Sequence, residues 1–466
     1  MNLVSPIKLT NFRGFRESGA VRLAPLTFLV GPNSSGKSSL ADGMLLISQS
    51  IVDSTYWVTP DWVGRLVDLG SYRDAVYKHA VQRPITIELV VQVDPSGPRI
   101  HQESTGPSSK PPEVAFQYRL KSDAKNEAGK LHSMSVIDVI SGVEVTLTNL
   151  MNAISVQIDG RRTQLIKESL NFTTTGYSVY RVIEDFIRSG KAPAGTKSAY
   201  RRIADAYGSY AYQHFFIWME RVSSSRSGPK RWVPKGDMQN TDAKFRGLLD
   251  DPYTMTLEPT ANFRGRVRRR GQATETVAKY LTRLGIASAI NRQDLSAYHG
   301  SLNITDSVSN VVSNLADVGF GASQAIPVIR GCISDSLCPL FLEQPEIHLH
   351  PKAQGELADL ICRTSRRRQV IVETHSEHMI NRARILIAEG KLISEDVVIL
   401  YVDRGKLGSN VQEIGLNESG DFTSEWPSGF FDERYHDSMR LVELKSSGSK
   451  VLNIANSAGN RRKATR

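Results

Sequence analysis

A chain of 466 residues with 58 Lys and Arg against 48 Asp and Glu, and a pI near 9.4, has room for two or three lobes and favours polyanionic partners. Apolar residues at 40% and charged residues at 23% describe an ordinary globular protein rather than a disordered or membrane one. There is no apolar run of the roughly 18 residues that a membrane span needs, and Met1 to Asn11 lacks a signal-peptide core. The three cysteines (Cys332, Cys338, Cys362) show no C-x-x-C spacing, which is expected of reduced thiols in a cytoplasmic protein.

In chain order, Ile7 to Leu23 reads as short strands around turns, and Leu26-Thr27-Phe28-Leu29-Val30 as a buried strand. The next stretch, Gly31-Pro32-Asn33-Ser34-Ser35-Gly36-Lys37-Ser38-Ser39, fills all the fixed positions of G-x-x-x-x-G-K-[ST]. A helix over Ser39 to Ile47 follows. Strand, glycine loop and helix turn a row of backbone N–H groups and a helix N-terminus toward a polyphosphate. Lys37 would reach the β- and γ-phosphates, and the Ser38 hydroxyl would ligate Mg²⁺.

Short β-like runs recur from Ile85 to about Ile166, at Ile85 to Val91, Val114 to Tyr118 and Ala153 to Ile158. Gly and Pro clusters separate them, so an antiparallel layer is expected. Tyr180 to Ile187 and Tyr200 to Val222 carry apolar and aromatic residues at helical spacing. Ser223 to Gly271 is polar and holds 11 Lys and Arg against 5 Asp and Glu. Its Arg264-Gly265-Arg266-Val267-Arg268-Arg269-Arg270 cluster, beside Phe263, is a candidate for tracking a DNA backbone. A helix over Thr274 to Ile286 leads out, and Val451 to Arg466 reads as a frayed basic tail.

Three later motifs complement the glycine loop. Gly319-Phe320-Gly321-Ala322-Ser323-Gln324 opens a helix-like run with a Ser at its mouth, a second phosphate-directed helix start that suggests a composite site. There Ser323 would contact the γ-phosphate bound to another subunit. Leu340-Phe341-Leu342-Glu343 is an apolar run ending in an acid, and Glu343 is expected to serve the Mg²⁺. Val370-Ile371-Val372-Glu373-Thr374-His375-Ser376 is a strand ending near a His, which fits a γ-phosphate or water sensor.

In that order these motifs resemble those of ATP-binding-cassette heads, and more narrowly those of bacterial AAA-type ATPases related to the overcoming-lysogenization-defect, RecF and SMC heads. The resemblance runs through Ile7 to Phe15, Gly31 to Ser39, Val67 to Tyr72, Val318 to Pro327, Leu342 to Pro351, Glu373 to His378 and Trp426 to Glu433, and leaves about Gly160 to Ala297 uncovered. It implies an α/β P-loop fold of cassette-head type, with a mixed sheet, an antiparallel β layer and a helical and basic insertion. The corresponding division is 1–165 for the N-lobe, 166–300 for the insertion, 301–450 for the C-lobe and 451–466 for the tail. It also implies a homodimer or larger homo-oligomer with ATP and Mg²⁺ sandwiched between heads. His375 would be the switch histidine, and His348 to Lys352 would meet the other head. Relatives act in antiphage defence beside a separate nuclease, or carry one in the same chain. No further acid-rich nuclease region follows here, so a separate protein effector is expected.

One departure stands out. Most cassette heads place a Glu after the metal acid to polarise the attacking water, and here that position is Gln344. Gln orients water but accepts no proton, so turnover is expected to be slow. Two other readings stay open: a RecF-like DNA-binding ATPase in DNA maintenance, and an ATP-gated scaffold with incidental hydrolysis.

Overall fold

The computed structural model describes residues 3–53, 59–92, 113–122, 129–150, 153–166, 181–193, 195–208, 219–226, 228–234, 272–334, 336–427 and 433–446. The Arg264 to Arg270 cluster and the 451–466 tail lie outside them. Residues Met1–Ser424 form one compact unit and Glu425–Arg466 a second. Within the second, Glu433–Ser446 is a helix.

Two large sheets and a small third one lie in the first unit. The larger is antiparallel and meanders through β1 (Leu3–Phe12), β2 (Phe15–Glu17), β4 (Ile85–Gln92), β5 (Glu113–Lys121), β6 (Lys130–Asp138), β7 (Glu144–Leu150), β8 (Ala153–Ile158) and β9 (Arg161–Ile166), in the order β2-β1-β4-β5-β6-β7-β8-β9. This is the expected antiparallel layer, with three strands, β6, β7 and β9, that the apolar runs alone did not mark out.

The second sheet carries the glycine loop. Its order is β10 (Glu220–Val222), β15 (Leu340–Glu343), β16 (Val370–Glu373), β3 (Leu26–Val30), β17 (Val397–Gly405) and β18 (Gly408–Ile414). The first five are parallel, and β18 closes the edge antiparallel. β3 therefore sits between strands from the distant C-terminal half. Of the helix expected over Tyr200 to Val222, Lys197–Gly208 is helical, 209–218 lie outside the described residues, and Glu220 to Val222 instead joins the parallel sheet as β10. The fully buried Arg368 fastens this edge, donating to Glu220 Oε2 at 2.8 Å and to Cys338 O at 2.6 Å.

The helix Lys37–Asp53 leaves β3 and is buried almost all round, because it lies between the two sheets. Leu40, Leu45 and Leu46 join one core with Ile7, Leu9 and Ile87 of the antiparallel sheet and with Leu29, Phe341, Ile371 and Val398 of the parallel one. Successive strand residues point to opposite faces. Phe341 and Ile371 thus face the Lys37–Asp53 helix, while Leu340, Leu342, Val370 and Val372 face away from it. The same alternation turns the strand-ending Glu343 and Glu373 toward that helix. Gln49 locks the helix to the following loop, accepting from Leu66 and Val67 N–H and donating to Val67 O at 2.9 Å.

A small third sheet joins β11 (Val233–Pro234), which precedes the helix Gln272–Arg283, to β12 (Ala289–Asp294), β13 (His299–Thr305) and β14 (Val312–Asn314), which follow it. That helix was expected to run to Ile286; Gly285, at φ 70°, ends it earlier.

Candidate nucleotide-binding site

The glycine loop bends as phosphate-cradling loops must. Gly31 (φ 137°), Ser34 (φ 61°) and Gly36 (φ 107°) take left-handed backbone conformations within six residues, exposing successive amides on a concave side. Glycine is required twice for space as well as for φ. A Cβ on Gly31 would overlap the Val402 carbonyl, and one on Gly36 would lie 2.7 Å from Ser409 Oγ. Pro32, Asn33 and Ser34 are exposed, whereas Ser35 and Ser39 are buried. The Ser35 hydroxyl has no partner among the described residues.

The β17–β18 hairpin braces this loop. Ser409 Oγ donates to Ser35 O at 2.5 Å, and Ser409 N–H donates to Gly14 O at 2.8 Å. Nothing in the sequence motifs pointed to Ser409; its role follows from strand pairing across the sheet.

Lys37 is buried, and its Nζ donates to Gly31 O at 3.0 Å and Pro32 O at 2.8 Å. Burial lowers its pKa, and the nearby Glu373 carboxylate partly offsets that. Ser38 Oγ donates to Glu373 Oε2 at 2.8 Å. The carboxylate touching Ser38 is therefore that of Glu373. Glu343, the acid expected there, lies beside it in register on the neighbouring strand. Its Oε1 pairs with Arg221 at 2.7 Å and its Oε2 accepts the Ser224 N–H at 3.1 Å. Burial raises the Glu373 pKa, and the Ser38 hydrogen bond and Lys37 work against that rise.

Arg221, Ser224 and Arg226 all come from β10 and the residues after it; the sequence expectation made Arg221 part of a helix and Ser224 and Arg226 part of a polar, basic segment, and brought none of them to this site. Arg226 donates to the carbonyls of Glu343 and Gln344 at 2.7 and 2.9 Å. Gln344 itself has φ 42° and donates its N–H to Glu373 O at 2.7 Å, which fixes the turn after β15 against the end of β16.

His375 is exposed, and its backbone N–H donates to Glu346 Oε1 at 2.8 Å. Partial burial and the neighbouring Lys37 lower its pKa, so the imidazole favours its neutral form.

Ser323 is placed differently from the expectation. It is fully buried one turn inside the helix Phe320–Ile333, with its hydroxyl donating to Phe320 O at 2.9 Å. What the helix mouth offers outward is Gly319, Phe320 and Gly321. The Gly319 cap makes no side-chain hydrogen bond to the helix. Phe320 is 55% exposed and packs on His348 at a ring separation of 5.7 Å.

The donor set suits Mg·ATP: a row of loop amides and a lysine for polyphosphate, a Ser hydroxyl and two carboxylates for a hard divalent cation. Among the described residues, no helix is long and apolar enough to cross a membrane.

Residues 256–380 match the AAA ATPase domain, and residues 392–441 match a family of unknown function, DUF3696. No curated protein matches the chain. Among solved structures, the chain is similar to an Smc head bound to the C-terminal winged-helix domain of ScpA (12% identity, 89% of this chain and 98% of that one, TM-score 0.43). It is also similar to an Smc head with an extended coiled coil bound to the C-terminal domain of ScpA from Pyrococcus furiosus (11% identity, 96% and 100%, TM-score 0.43). A third is the SMC head domain from Thermotoga maritima (11% identity, 89% and 99%, TM-score 0.38). The phosphate-binding loop thus follows an inner strand of the parallel sheet, and the AAA ATPase domain match spans Glu343 and His375.

Proposed function

We propose that two copies of the chain close around Mg·ATP and that the ATP-held state controls a separate, nuclease-like effector in antiphage defence. The observation that carries the nucleotide reading is the convergence of Lys37, Ser38, Glu373 and Glu343 at one end of the parallel sheet. Lys37 and the loop amides would hold the phosphates, Ser38 and a strand-ending carboxylate would hold the cation, and His375 would sense the γ-phosphate. The bound cation would supply charge neutralisation for the transferring phosphoryl group. Gln344 would orient water without taking its proton, which keeps turnover slow.

Support for a composite site comes from the mouth of the helix Phe320–Ile333. Its first N–H groups receive no side-chain cap, and an exposed aromatic stands beside them on His348. With Ser323 buried, the backbone N–H groups at Phe320 and Gly321 are the better candidates to meet a partner's phosphate. The antiphage setting is carried by the family resemblance of the motif blocks.

Light scattering with and without Mg·ATP tests the reading. The wild-type chain is expected to dimerise only with Mg·ATP, and Lys37→Ala to stay monomeric and bind no nucleotide. Nucleotide-independent dimerisation of Lys37→Ala would overturn the composite-site model.

A further inference from the structure

The motif logic gives the cation to the acid that ends the Leu340–Glu343 run. The side chains say otherwise. Glu343 and Glu373 end neighbouring parallel strands in register and point to the same face, but their surroundings differ. Glu343 is held by the far edge of the sheet: its Oε1 is ion-paired with the Arg221 guanidinium at 2.7 Å, without a hydrogen bond of good geometry, and its Oε2 accepts the Ser224 N–H at 3.1 Å. Arg221 is itself largely buried, so water screens that pair little. Glu373 stands one strand closer to β3 and has its Oε2 2.8 Å from Ser38 Oγ. It also lies within electrostatic reach of Lys37.

We infer that Glu373 is the carboxylate that serves the divalent cation at Ser38, and that Glu343 is a strut tying β10 to the site. The inference rests on the nucleotide-site reading above and assigns a duty within it. A cation ligated by the Ser38 hydroxyl has its other ligands or bound waters within a few ångströms of that oxygen, and the one carboxylate already at hydrogen-bonding distance from it is Glu373. Moving Glu343 into that place would cost its Arg221 pair, leaving a buried guanidinium without its partner carboxylate. The arrangement also explains why this chain carries an acid where β16 ends: once Glu343 is committed to Arg221, its neighbour must supply the negative charge.

The test is binding of a fluorescent ATP analogue to the full chain, first in EDTA and then across a Mg²⁺ titration, with a Mn²⁺ titration followed by EPR as a second readout. Glu373→Gln should leave the affinity in EDTA within about twofold and raise the Mg²⁺ and Mn²⁺ midpoints by about 10-fold or more, the usual effect of losing a ligand-supporting group. Glu373→Asp, which keeps the charge on a shorter arm, should fall between Gln and wild type. Glu343→Gln should move the midpoints less than Glu373→Gln and lower the thermal stability more. A larger midpoint shift for Glu343→Gln, or none for Glu373→Gln, overturns the assignment while leaving the nucleotide reading intact. Failure of the wild-type chain to bind the analogue under any condition overturns both.

Discussion

Glu346 holds the segment after β16 by accepting the His375 N–H at 2.8 Å on Oε1, an oxygen that also accepts the Thr374 hydroxyl at 2.8 Å. The other oxygen is buried with no partner among the described residues. The turn after Glu343 is therefore clamped to the residue expected to sense the γ-phosphate. The clamp is one-sided.

Its removal should be felt in both stability and turnover. Glu346→Ala leaves the buried Thr374 hydroxyl and the part-buried His375 N–H without their acceptor and should cost about 1–3 kcal/mol in urea unfolding. Glu346→Gln keeps an acceptor and should cost less. In both variants ATPase turnover should fall further than nucleotide affinity, because the loop lysine is untouched; an affinity loss as large as the turnover loss would count against a positioning role for Glu346.

The loop brace offers a second check. Gly31→Ala forces a Cβ into the Val402 carbonyl at a left-handed φ, so ATP binding should be lost. Ser409→Ala removes only the hydrogen bond to Ser35 O and should weaken ATP binding several-fold with a stability cost of about 1 kcal/mol. Isothermal titration and thermal melts on the two variants would separate loop shape from loop bracing.

A pH dependence follows from Asp42, on the loop-proximal helix. Burial raises its pKa to about 7; Arg13, paired at 2.6 Å but partly exposed, and Arg221 oppose the rise, and Glu343 and Glu373 add to it. The folded value lies above the ordinary 3.8, so the folded state binds the proton more tightly than the unfolded one. The associated stability is present below about pH 4 and is lost as pH rises through about 7. Melting temperatures should therefore drop between pH 5 and pH 8 in the wild type, and drop less in Asp42→Asn. An equal drop in the two would rule Asp42 out as the source.

At Gln344 the expectation concerns rate. Gln344→Glu restores a proton acceptor beside the site and should raise steady-state turnover at least several-fold. The wild-type rate should stay well under about 10 per second, the middle of the range for enzymes. Phosphate release assays on both proteins decide it.

Much of this site was readable in the linear chain because its parts are local. The phosphate loop needs only a strand, two glycines, a lysine and a serine in sequence, and the φ values at Gly31 and Gly36 are the reason those residues stand there. Glu373 was readable in principle and was passed over. Leu340-Phe341-Leu342-Glu343 and Val370-Ile371-Val372-Glu373 are the same apolar pattern with the same final acid, and alternation alone turns both acids to one face. Ser323 was misplaced because a small residue near a glycine turn reads as exposed, while the helix register buries it beneath Phe320.

What the sequence determined by itself was the local chemistry: a nucleotide loop, an antiparallel layer, an acid-ended strand and a histidine in cassette-head order. What only the tertiary structure decided was which groups meet. Strand order put β16 between β15 and β3, and so gave Ser38 to Glu373 rather than to Glu343. It also brought Arg221, Ser224 and Arg226, more than a hundred residues away in the chain, onto Glu343 and the turn after it. The reason is physical. Hydrogen-bonded pairing between parallel strands is non-local, and no periodicity within one strand records which neighbour it will have.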